Sequence, residues 1–552
     1  MVISSRFKIL GQILPLALGL WFGTFVDLQA QTTPKLFAAT NQSSNQAEAL
    51  IAAGIAAFER DELEAAKVSF QKVLTLKPNV TALTYLGLIA DRAGDLDEAE
   101  QRFSAAAKLA PELSSARNNY GAILLRKGQL NPAAAQFEAS LKLDPNQLNA
   151  LINLAQIRFA SGSSSDLRSA GELFARAYNL KPDAELARAL TIVSLRRQEY
   201  AEAPGLYRKY AKHLSEETES SVVAAPARAE LGAALFEAGL LDEAETELTE
   251  AVKLDPGSLE SIMRLGRVYL ARKDLSAAGR TLEASVARGV DSAPLYALLA
   301  EVYEKSGHFE NAIPAMRLAI QRDPESEKYR FAYGILLMNA NVPAAAIIRL
   351  EEALKQFPRS SRLWFALGLA HFKQQQLEKA TSAFEQALQL DPKFAPAFAY
   401  LGLTRVTAGF YSEAISFYKK ALEADPKLAV VHYLIADVQL KQVDADSPET
   451  QKHLQRSVEL DPTFTLARMS LAKLFMRAKQ WDSAITELES VIRLEPTLSE
   501  AYYHLGRAYG RVKRTNDAET ALETFKRLSE TAKTREESEL REIVKRLADV
   551  RF

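Results

Sequence analysis

The six histidines, His213, His308, His371, His432, His453 and His504, are the residue types best suited to metal or acid–base chemistry. A helical metal face needs two ligands about three to five residues apart. No two of these histidines are that close, and none belongs to a His-Glu-x-x-His pair. With no cysteine in the chain, disulfides, thiolate nucleophiles, iron–sulfur clusters, thiolate zinc sites and a lipid-modified N-terminal cysteine are excluded. No phosphate-cradling Gly-x-x-x-x-Gly-Lys-Ser/Thr loop, no Gly-x-Gly-x-x-Gly after a strand and no Gly-x-Ser-x-Gly elbow occurs. Asp144-Pro145 and Asp391-Pro392 are turn chemistry, and Glu351-Glu352 falls on a solvated helix face. No catalytic residue, metal ligand or cofactor is therefore expected, and the chain reads as a non-enzyme.

The elements that would position any site are marked by eleven prolines, Pro78, Pro111, Pro145, Pro182, Pro256, Pro324, Pro358, Pro392, Pro426, Pro462 and Pro496. Pro324, Pro358, Pro392 and Pro426 are each 34 residues apart, as are Pro462 and Pro496. A fixed period of that length predicts a stack of helical hairpins. Aligned on the prolines, a small residue recurs in the first helix, as at Gly87, Gly334, Gly368, Gly402 and Gly506. An alanine follows 12 residues later and a bulky residue four after that, as Ala99 and Phe103 or Ala380 and Phe384. Two helices approach closely only where side chains are small, and the bulky residue fills the space one turn away. The proline lacks an N–H and disfavours helix at the residue before it, so it closes the second helix.

Leu86-Gly87, Ala99, Phe103 and Pro111 in one unit, and Leu367-Gly368, Ala380, Phe384 and Pro392 in another, resemble the tetratricopeptide repeat family. The resemblance recurs in register along most of the chain. It implies an all-α, right-handed α-solenoid of about fourteen hairpins with a C-terminal capping helix. The expected organisation is residues 1–30 as signal peptide or anchor, 31–46 as a polar linker and 47–182 as the first repeats. Residues 183–226 would form an irregular unit with a longer loop, 227–530 the remaining repeats and 531–552 the cap. Three spacings depart from the period. The excess between Pro182 and Pro256 falls in the acidic, Ser-rich stretch from His213 to Pro226 and reads as a longer loop. Three extra residues near Ser161–Ser165 read as a lengthened turn, and a surplus lies near Asp444–Pro448. In the last segment Leu540, Ile543, Val544 and Leu547 share one helical face, as a cap over the final unit would require.

The first thirty residues follow different rules. Arg6 and Lys8 precede a mostly apolar run from Ile9 to Val26, and small Ala30 precedes Gln31. This is the pattern of a secretory signal cleaved after Ala30, with bulky Leu28 an imperfect fit; the alternative is an uncleaved membrane anchor. Either way the repeats are exported, to a periplasm or to the exterior. Asn41-Gln42-Ser43 also fits a glycosylation acceptor.

With 68 basic and 69 acidic residues the net charge is −1, which argues against nucleic acid or an anionic membrane as the main partner. Other proteins remain, as extended peptides or helices; membrane contact would come only through an uncleaved N-terminal segment. The family resemblance implies that first helices line a concave face. In register, that face would carry the apolar strip Phe331, Ile335, Met338, Phe365, Leu369, Phe372, Leu403 and Val406. Either this strip is a peptide groove or it packs against neighbouring helices. Further along, the same positions become Lys473, Arg477, Tyr503, Arg507 and Arg511, which would receive an acidic segment or stand as separately solvated charges. Of the asparagines that hold a peptide backbone in some family members, only Asn119 and Asn153 match. The expected function is a scaffold or adaptor of a cell envelope; the alternative is an accessory or regulatory subunit of an envelope enzyme or export complex.

Overall fold

A computed structural model describes residues 42–216, 224–441 and 447–529, with residues 542, 543, 546 and 547. Among the described residues there are 28 helices and no strand. Numbered in chain order from α1 (Gln42–Glu59) to α28 (Thr515–Ser529), they pair as thirteen antiparallel hairpins, odd numbers opening and even numbers closing, with α13 (Leu259–Ala271) and α14 (Leu275–Ala287) falling in different units. The chain divides into two compact units, Met1–Arg272 and Lys273–Phe552.

Each closing proline acts as expected. Asp144, Asp391, Asp425 and Asp461 leave the helix in extended conformation just before their prolines. Their carboxylates accept the N–H two residues on, at 2.9 to 3.0 Å, which fixes the turn. Among the described residues, the turns inside hairpins place a residue in the left-handed region. Gly94, Gly128 and Gly409 supply it without strain, whereas Gln198, Gln375 and Lys479 adopt φ near 60° with a side chain attached.

The hairpins are held by one repeated interlock. A Cβ added to Gly87 would lie 2.8 Å from the ring of Phe103, sixteen residues on, and the same holds for Gly54 against Phe70. In α19 (Ser361–Lys373) and α20 (Leu377–Leu390), Gly368 receives the ring of Phe384. In α21 (Ala395–Thr407) and α22 (Tyr411–Ala424), Gly402 receives that of Tyr418. Phe70, Phe137, Phe384 and Tyr418 are all fully buried, each side chain contributing about 1.5–3 kcal/mol through burial.

Two expectations are corrected. The surplus near Ser161–Ser165 is not a longer turn. The α7 helix (Leu148–Ser161) ends at Gly162, and Ser163 already caps α8 by accepting from the N–H of Asp166. The extra residues lengthen α8 (Ser164–Leu180) to 17 residues against 14 for most closing helices, because a side-chain cap makes helix the more favourable way to accommodate them. The first helix also starts at Gln42, inside the span expected to be linker. The leader at 1–30, the stretch at 217–223 and the surplus at 442–446 lie outside the described residues, as does most of the expected cap. The four described residues of that segment lie against Asp461–Thr465, ahead of the penultimate hairpin. Arg546 pairs with Asp461 and sits 4.2 Å over the ring of Phe464, and Leu547 is fully buried in the apolar cluster that holds Phe464.

The long interval between Pro182 and Pro256 contains a buried polar knot. Glu247, in α12 (Leu241–Leu254), is 2 % exposed. It accepts from the hydroxyls of Tyr207 at 2.9 Å and Tyr210 at 3.2 Å, both in α10 (Ala203–Glu216), and from Arg228 of α11 (Ala225–Glu237) at 3.0 Å. Burial and the adjacent carboxylate push both phenols well above their usual range, so they stay donors. Three helices around the irregular interval are thereby set in a single register.

Gly402→Ala should loosen the α21–α22 hairpin by about 1–3 kcal/mol, since the methyl would overlap the Tyr418 ring. Amide hydrogen exchange in these two helices reads the effect; unchanged protection would show that the ring moves aside freely.

Candidate partner-binding site

Positions 365, 369 and 372 lie on one side of α19 because they are four and three residues apart. That side meets the next first helix. Phe365 is 1 % exposed, and its ring centroid lies 5.7 Å from Phe384, 5.1 Å from Phe394 and 5.5 Å from Tyr400. Phe372 approaches Tyr400 at 5.9 Å. Met338 and Leu403 are 6 % and 7 % exposed. These three, Phe365, Met338 and Leu403, are core residues and offer nothing to a partner. Phe331 and Ile335 in α17 (Glu327–Asn339), Leu369 and Phe372 in α19, and Val406 in α21 are half-buried, each packed against an apolar cluster. The apolar strip is thus mainly the seam between successive first helices, which also touch one another directly. Sequence register located the face but not the depth to which the neighbouring helix covers it.

The basic residues are differently placed. Lys473, in α25 (Thr465–Arg477), pairs with Glu500 at 2.6 Å, and His504 lies 3.3 Å from the same carboxylate. Arg477 is exposed. In α27 (Ser499–Arg511), Tyr503 is 38 % exposed and rests against Phe525 at 5.2 Å. Arg507, one turn on, lies 5.6 Å from the centroid of the Tyr503 ring. Arg511 lies 5.9 Å from the ring of Trp481, which opens α26 (Trp481–Leu494). Among the described residues neither Arg507 nor Arg511 makes an ion pair. This end of the chain therefore presents two exposed guanidinium groups against aromatic rings, a combination enriched where proteins bind one another. Trp481 opens a second helix, outside the first-helix positions expected to line the binding face.

The structure also brings together two histidines that lie 21 residues apart. His432, in α23 (Ala429–Leu440), and His453, in α24 (Pro448–Leu460), face each other at 2.9 Å between their Nδ1 atoms. Among the described residues there is no group of three or more metal-ligating side chains. Burial, reinforced by His453, pushes His432 down to about 4, and burial lowers His453 as well. Glu449 opposes that shift at His453, while Lys419, Lys452 and Arg456 add to the cost of a second positive charge.

Models of the tetratricopeptide repeat match residues 51–114, 85–147, 235–302, 293–326, 361–394, 397–428 and 499–531. Together these matches span about half of the sequence, and the chain belongs to the tetratricopeptide repeat family. A search of curated proteins found no match. Among solved structures, yeast Tom70 is 18% identical, with 85% of this chain and 95% of that one covered and a TM-score of 0.39. The Cut9–Hcn1 hetero-tetramer of the APC/C is 14% identical over 92% of this chain and 96% of that one, at a TM-score of 0.35. The pilF protein of Pseudomonas aeruginosa is 20% identical over 40% of this chain and 97% of its own, at 0.34.

Phe365→Asp should cost helix content and thermal stability, since it buries a charge among the rings of Phe384, Phe394 and Tyr400; circular dichroism at wild-type level would contradict the core assignment. The histidine pair predicts a pH dependence. Above the ordinary imidazole value of 6.5 the folded and unfolded chains are both neutral there. As pH falls towards about 4 the unfolded chain takes up a proton that the folded His432 refuses, so stability drops across that window. The loss should be on the order of 1–2 kcal/mol for the α23–α24 hairpin, and His432→Gln should flatten it in hydrogen exchange measured from pH 7 to 4.

Proposed function

We propose that this chain is a non-enzymatic scaffold, exported into a bacterial-type cell envelope, that holds other proteins against the open side of its first helices. The observation that carries this reading is the strip of Tyr503, Arg507 and Arg511 with Trp481. It has exposed arginines without described counter-charges, backed by rings. A partner segment bearing carboxylates would gain charge-assisted hydrogen bonds from the guanidinium groups and apolar contact from the rings. The family supports the class of function, because stacked hairpins provide long binding surfaces and no separate catalytic core. Export is supported by the charged start at Arg6 and Lys8, the apolar run from Ile9 to Val26 and the small Ala30. Among the described residues no helix is long and apolar enough to cross a membrane.

A photoreactive side chain at Tyr503 should crosslink a discrete partner in the native host, while the same probe at exposed Ile348 in α18 (Pro343–Gln356) should not. Arg507→Glu with Arg511→Glu should abolish that product, and raised salt should weaken it. Equal labelling at Tyr503 and Ile348 would refute the site. Mass spectrometry of the mature protein should find Gln31 at its start if the leader is cleaved; an intact leader in the membrane fraction would favour the anchor.

A further inference from the structure

Several hairpins carry an arginine at the same place in the first helix, and its partner lies 19 residues later on the second. In α5 (Ser114–Arg126) and α6 (Leu130–Leu143), Arg117 donates to the side-chain carbonyl of Gln136 at 3.3 Å. In α11 and α12, Arg228 donates to Glu247 at 3.0 Å. In α25 and α26, Arg468 donates to Glu487 at 2.5 Å. Each arginine thus meets an acceptor supplied by its own hairpin.

The α17–α18 hairpin breaks this rule. Its arginine is Arg330, but the residue 19 positions on is Arg349. Arg330 keeps the same seat as Arg468. It donates to the carbonyl of Pro324 at 2.9 Å, as Arg468 donates to that of Pro462 at 2.8 Å. The acceptor that should complete the pair is replaced by a second cation. A third guanidinium, Arg317 from α16 (Phe309–Arg322), lines the same cleft of about 260 Å³, together with Tyr333 and Glu352. Arg349 pairs with Glu352 one turn along its own helix at 2.7 Å, both side chains about half exposed. Arg317 makes no ion pair among the described residues. Three positive groups from three successive helices therefore face one carboxylate, whereas Arg228 and Arg468 each meet a carboxylate of their own hairpin and Arg117 a neutral amide.

We propose that this cleft is a binding site for an oxyanion, specifically the carboxylate of a glutamate-like acidic side chain, which takes the place that Glu247 and Glu487 occupy in their hairpins. A carboxylate there would bridge Arg330 and Arg349 with charge-assisted hydrogen bonds and relieve the repulsion between them. The site lies on α16, α17 and α18, separate from the Tyr503 strip, and stands whether or not that strip binds a partner.

The test is calorimetric titration of the full chain with N-acetylglutamate, and separately with inorganic phosphate, at constant ionic strength. The wild type should bind N-acetylglutamate saturably. Arg349→Glu, which rebuilds the internal pair of the other hairpins, should weaken this by roughly tenfold or more while leaving thermal stability at or above wild type. Glu487→Arg should install a second site in the α25–α26 hairpin. Absence of saturable binding to the wild type, or unchanged binding in Arg349→Glu, would overturn the proposal. Tighter binding of phosphate than of N-acetylglutamate would overturn the carboxylate assignment. If circular dichroism shows Arg349→Glu misfolded, Arg317→Gln combined with Arg330→Gln supplies the same decision.

Discussion

Among the described residues, eight hairpins depend on the close approach of two helices at a residue without a side chain. Gly87, Gly368 and Gly402 leave room into which Phe103, Phe384 and Tyr418 insert, and this contact sets both the spacing and the register of a hairpin. Because register is set there, every other position has a fixed place, facing its own partner helix, the next hairpin or water. Where a proline closes a second helix, as at Pro145 and Pro392 with their aspartate turns, it returns the chain to begin the next unit in the same phase.

Such a frame separates positions whose residue type is fixed by packing from positions that can vary between hairpins. The arginine of the first helix shows the second kind. It meets glutamine at Gln136 and glutamate at Glu247 and Glu487, and has another arginine at the matching position, Arg349, while a small residue and a bulky one sixteen positions on are kept beside it. In the α10–α12 region the variable position has been recruited for stability, since Glu247 gathers two tyrosines and Arg228 where the period is broken. A buried carboxylate of this kind costs desolvation, and it is tolerable because all its neighbours are donors. Elsewhere the same latitude leaves charge at the surface, as at Arg507 and Arg511, where it is available for recognition.

The repeat was legible at the level of single residues because its signals are local. A proline ends a helix whatever surrounds it, and a glycine sixteen residues before a phenylalanine encodes a contact within one hairpin. The extra residues near Ser163 were misplaced because a turn and an added helical turn absorb the same number of residues, and the choice rests on a cap hydrogen bond. The candidate groove was legible as a face but not as a surface. Phe365, Leu369 and Phe372 do share a side of their helix, yet Phe365 is covered by Phe394 and Tyr400 from the following hairpin.

Sequence alone determined the fold class, the repeat period and the lack of any thiol chemistry, since all of these follow from short-range spacing and residue type. Tertiary structure decided which residues are accessible and which distant charges meet. The burial of Phe365, the openness of Arg507, the meeting of His432 with His453 and the convergence of Arg317, Arg330 and Arg349 depend on how helices from successive hairpins stack. Burial is a property of a residue's neighbours in space, and the one-dimensional period specifies those neighbours only after the hairpins have packed.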